Sequence, residues 1–165
     1  SRASLVGYNV GCEIQPNGSA WACNAPTAFV ADPGGPEFLL TLFGTTSFEV
    51  DIGASSIGIE YVGSGSLGLG ANETLTISDL DWFDDPSGII TGFTIATQIL
   101  GVDAADVTFT DHSVTIFLDG GPTYFPGDTI LIDLVTAHGV PEPTTLAIFG
   151  LGLAGLGFMR RRKAA

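Results

Sequence analysis

Basic side chains are nearly missing from this sequence. Ahead of Val140, Arg2 stands alone against seventeen acids, so that stretch carries a net charge of −16, and no lysine occurs before Lys163. Such a surface should be soluble, and it repels phosphate backbones and anionic head groups, which excludes nucleic acid as a partner. Salt screening or divalent cations would relieve its self-repulsion. Other absences narrow the field further. No segment before Thr144 holds a helical period over ten residues. Neither the G-x-S-x-G nucleophile elbow nor the GK[ST] of a P-loop occurs. The opening "SRASLVGYNV" is too polar for the apolar region of a signal peptide, so any export signal is expected outside this sequence.

What is present is apolar residues, glycine and alternation. Hydrophobic residues make up 45% of the chain, with eleven Phe and 23 Gly. That is enough for a core and unlike a disordered acidic tail. Period-two runs place Phe48, Val50 and Ile52 on one face with Glu49 and Asp51 on the other. The same alternation points Leu75 and Ile77, Val107 and Phe109, Val114, Ile116 and Leu118, and Ile130, Ile132 and Leu134 inward. Further strands are expected near Val6–Ile14, Ala20–Asn24, Glu37–Phe43, Ile57–Val62 and Gly92–Leu100. Gly/Pro/Asp turns separate them, and "LGVDAADVTF" leaves room for one short helical turn. Roughly nine or ten short strands at this spacing predict an all-β fold, an antiparallel sandwich or jelly-roll-like domain over residues 1–137.

The two cysteines, Cys12 and Cys23, flank Asn17-Gly18, a two-residue hairpin signal. A hairpin centred there sets Cys12 opposite Cys23 at disulfide distance, although Pro16 lacks the N–H that a tight hairpin wants. A disulfide would place the chain in an oxidising compartment; the competing reading is two unrelated buried thiols. "GSGSLG", with Gly63, Gly65 and Gly68, matches G-x-G-x-x-G but leads into a strand rather than a helix, so a strand edge or loop is expected there. His112 and His138 read as turn and linker histidines. The densest acidic cluster, Asp79, Asp81, Asp84 and Asp85, is a candidate calcium site, set against a solvated loop that caps the sheet ends. Trp82 and Tyr124, with Trp21 and Tyr61 behind them, are candidate glycan contacts, set against core packing.

The end of the chain reverses every trend. "VPEPTTLAIFGLGLAGLGFMRRRKAA" holds an uncharged run from Leu146 to Met159, followed by Arg160, Arg161, Arg162 and Lys163. Apolar residues occupy all faces, which disfavours an interfacial helix. As a helix from Thr144 the run reaches about 24 Å, short of a hydrocarbon core of roughly 30 Å, with arginine stems able to snorkel. The sequence therefore predicts a linker at 138–145, a single short transmembrane helix at 146–159 and a basic cytoplasmic tail at 160–165. Pro141 and Pro143 hold an extended segment that joins neither sheet nor helix, which a protease could bind as a strand.

Pro141-Glu142-Pro143, a short apolar helix and an arginine cluster together resemble the PEP-CTERM sorting signal of Gram-negative bacteria. The resemblance covers about the last 26 residues. It implies export, transient anchoring in the inner membrane with the body in the periplasm, and recognition by exosortase, which would cut near Pro141–Pro143. It implies release to the cell surface or the exopolysaccharide matrix of a biofilm. Beside it, the sequence leaves a non-catalytic structural or adhesive role, a carbohydrate-binding module, and a hydrolase of matrix polymers as readings of the acidic domain.

Overall fold

The computed structural model describes residues 4–16, 20–31, 34–68, 73–82, 85, 87–118 and 122–137. Among these the chain forms strands β1 Asn9–Gln15, β2 Trp21–Cys23, β3 Thr27–Phe29, β4 Phe38–Leu42, β5 Thr45–Ile52, β6 Ser56–Tyr61 and β7 Leu67–Gly68. They continue with β8 Thr74–Ser78, β9 Ile89–Thr97, β10 Val107–Phe109, β11 Val114–Phe117, β12 Thr123–Tyr124 and β13 Thr129–Ala137. The one short turn expected from "LGVDAADVTF" is a 3-10 turn, Ala104–Asp106. Asp103 caps it by accepting from Ala105 N–H, while the Asp106 carboxylate accepts from Asp103 N–H.

Every ladder is antiparallel. One sheet runs β10-β11-β8-β1-β3, a second runs β2-β4-β5-β6-β13-β9, and β12 pairs with β7. The expectation of an antiparallel all-β domain holds. Period two is the reason: Phe48, Val50 and Ile52 are buried, and so are Leu75, Ile77, Val114, Ile116, Ile130, Ile132 and Leu134. Inward residues of both large sheets join one hydrophobic cluster, so the sheets share a single core. Its centre is aromatic. The Phe48 ring lies 5.4 Å from Trp21, 5.2 Å from Tyr61 and 5.1 Å from Tyr124, the last edge-on. The tight β4–β5 turn follows local chemistry as well. Phe43 and Gly44 both take positive φ (49° and 79°), the pairing that matches the twist of a two-residue hairpin, and the Phe43 ring projects into solvent.

Two expectations need correction. Phe109 is not buried in the core: β10 is a three-residue edge strand, and Phe109 stays 40% exposed with its ring edge-on to Phe93 at 5.9 Å. The hairpin joining Cys12 to Cys23 does not form either. Both edges of β1 are already taken, by β3 from Asn9 to Gly11 and by β8 from Gly11 to Gln15, and Cys12 N–H donates to the Pro26 carbonyl. β2 pairs instead with β4 in the other sheet. The disulfide is nonetheless present, with a Cα–Cα distance of 6.2 Å. It therefore staples an inner strand of one sheet to the edge strand of the other, rather than closing a local ribbon.

Candidate functional site

The acidic segment after β8 is a set of separate local bonds. Asp79 is exposed, takes a positive φ of 56° and accepts from the Ser78 hydroxyl at 3.2 Å. Asp81 lies 3.1 Å from His112 Nδ1, an ion pair whenever that imidazole is protonated. Asp85 Oδ1 accepts from both the backbone and the hydroxyl of Ser87. Asp84 lies outside the described residues. Among the described residues no three His, Cys, Asp or Glu side chains gather into a set that could hold a metal. The calcium expectation thus gains nothing here: neighbouring hydrogen bonds and one histidine engage these carboxylates one at a time.

Both proposed glycan contacts are corrected. Trp82 and Tyr124 have no exposed surface, and Trp21 and Tyr61 are buried too. Tyr124 donates its hydroxyl to the Leu118 carbonyl at 3.1 Å, which satisfies its polar end inside the core. None of these rings offers a face to a sugar. For Trp82 the signal was available in the sequence. Buried Leu80 and Trp82 alternate with outward Asp79 and Asp81, the pattern of a chain lying on the core. Among the described residues the most exposed aromatic rings are phenylalanines, Phe29, Phe43, Phe109, Phe117 and Phe125, none of which the sequence singled out as a glycan contact.

A groove of about 490 Å³ lies on the outer face of the second sheet, floored by Gly58 and edged by Glu49, Asp51, Glu60, Thr129 and Leu131. Gly58 lacks a side chain between Asp51 and Leu131, its partners on either side, and this opens the floor. Glu49 sits directly across the strands from Glu60, an unfavourable pairing of like charges. The groove therefore has a negative field, which repels anions and attracts cations. Gly63, Gly65 and Gly68 run through a loop into β7 rather than opening a helix, as the sequence predicted.

The sorting residues Pro141, Glu142 and Pro143, the basic residues Arg160, Arg161, Arg162 and Lys163, the proposed membrane helix and His138 all lie outside the described residues. What the fold does show is where they attach. The last strand among the described residues, β13, is an inner strand between β6 and β9, and its ladder to β9 runs to Ala137. Residues 139–163 match the family described as the PEP-CTERM protein-sorting motif. No curated protein and no solved structure matches the chain.

Proposed function

We propose, from the premise that this chain carries a PEP-CTERM protein-sorting motif at residues 139–163, that it is an exported protein delivered outside the cytoplasm and processed by exosortase. The tail holds it transiently in the inner membrane with the β domain in the periplasm. Exosortase cuts near Pro141–Pro143, and the domain passes to the cell surface or the exopolysaccharide matrix. There it serves as a non-catalytic structural or adhesive component. The motif match carries this reading, and three physical features support it. Both described ladders of β13 end by Ala137, two residues before the motif begins, so cleavage in the motif leaves them whole. The Cys12–Cys23 disulfide suits an oxidising compartment. The acidic body repels the anionic inner-membrane surface, while the basic cluster holds its end on the cytoplasmic side.

Deleting Pro141–Ala165 from a chain exported by a native signal tests the reading. The truncated protein is expected in the soluble periplasmic fraction, folded, while the full chain fractionates with the membrane until it is processed. A truncated form that stays with the membrane, or one that fails to fold, would show that the tail is not a separable anchor.

A further inference from the structure

Among the described residues four edge strands close the two large sheets, and three of them are blunted by length. β2, β3 and β10 have three residues each. The fourth, β9, has nine, "IITGFTIAT", with β13 on one side and no strand on the other among the described residues. Natural edges are usually protected by lysine, proline, inward charge or brevity, and β9 has none of these. Its ladder to β13 shifts register next to Val135, and Ile90 N–H is taken by the Asp111 carbonyl at 2.9 Å. Gly92–Thr97 is thus the regular, open stretch. The core is also unfinished there. Phe93 and Ile95 point inward yet remain half-buried, whereas Ile132 and Leu134 opposite them on β13 are buried. Phe109, from the edge strand of the other sheet, meets Phe93 across the same open side.

We propose that this edge pairs with the same edge of a second copy, antiparallel and centred on Thr94, so that two domains form one continuous sheet. Charge permits a second copy here, and the register below is self-complementary. A chain of net charge −13 resists contact with its own kind over most of its surface, but β9 contributes no acid to this contact. The nearest acid on the same sheet is Asp133, opposite Thr94. In the paired sheet the two Asp133 side chains lie three strand spacings apart, about 14 Å, beyond the screening length of about 10 Å at 0.1 M salt. A register centred on Thr94 sets Phe93 against Ile95 of the second copy twice, an aromatic to β-branched pairing that stabilises cross-strand contacts. It would also cover the half-buried strip that β13 leaves open. The pairing belongs to the folded domain, so it stands or falls separately from the processing of the tail.

Thr94→Cys tests it in the purified full chain. Both native cysteines are already bonded to each other, so the new thiol is the free one. Across a two-fold axis the facing Cα atoms of paired strands lie about 4.5–5.5 Å apart, within disulfide reach. Mild oxidation is expected to give a disulfide-linked dimer on a non-reducing gel, at least tenfold more than Glu60→Cys, an exposed control on the middle of the same sheet. Monomeric Thr94→Cys, or equal cross-linking of the two variants, overturns the proposal.

Discussion

Phe48→Ala is expected to destabilise the domain by about 3–5 kcal/mol, the range for removing a buried aromatic side chain. Phe48 is 1% exposed and touches three other rings, from β2, β6 and β12. Truncation removes its apolar burial and three ring contacts together, and its neighbours cannot collapse into the gap without leaving their own strands. A domain of this size is stable by about 5–15 kcal/mol in total, so the loss is a large fraction of the whole. Leu100→Ala is the contrast, because that side chain is 93% exposed and its loss should stay within about 0.5 kcal/mol. Urea unfolding at constant slope measures both. A Phe48→Ala cost under about 1 kcal/mol would mean that the aromatic cluster is not the centre of the fold.

Removing the inter-sheet staple is the second large effect. Cys12→Ala with Cys23→Ala is expected to cost about 3 kcal/mol, the loop-closure value for a ring of this length. The local consequence is sharper than the global one. β2 is a three-residue edge strand held by its ladder to β4, by the disulfide and by Trp21, which is buried against Phe48. Without the bond, β2 should fray before the rest of the domain. Amide exchange should then accelerate at Trp21–Cys23 while β5, β6 and β13 keep their protection. Uniform loss of protection across the domain would contradict this picture. The two losses should not add, because Trp21 joins them.

Much of the fold was legible because its signal is local. Alternation over five to nine residues located the long strands and most of their buried faces, since pleating forces period two wherever one face is buried. β3, β7 and β12 are two or three residues long, too short for alternation to register, and they exist because a longer neighbour offers an edge. The same limit explains Phe109: alternation gives a face, but only the sheet order shows that the face ends at an open side. The cysteines teach a different lesson. Asn17-Gly18 favours a local hairpin, but β1 finds both partners elsewhere, and the pairing of Cys12 with Cys23 arises from the stacking of two sheets. Trp82 and Tyr124 were ambiguous because an aromatic ring with a polar end suits a core and a sugar site equally. The carboxylates near Asp81 were close in sequence, yet the described ones take separate partners, Ser78 for Asp79, His112 for Asp81 and Ser87 for Asp85.

The central claim is that residues 139–163 are a processing signal that follows the described β domain. The intact mass of the protein recovered from outside native cells tests it most directly. The account predicts a mass that ends near Pro141–Pro143, lacks Leu146–Ala165 and is two hydrogens lighter than the reduced chain, reflecting the Cys12–Cys23 bond. A mass that retains Arg160–Lys163 on protein found outside the cell would contradict it.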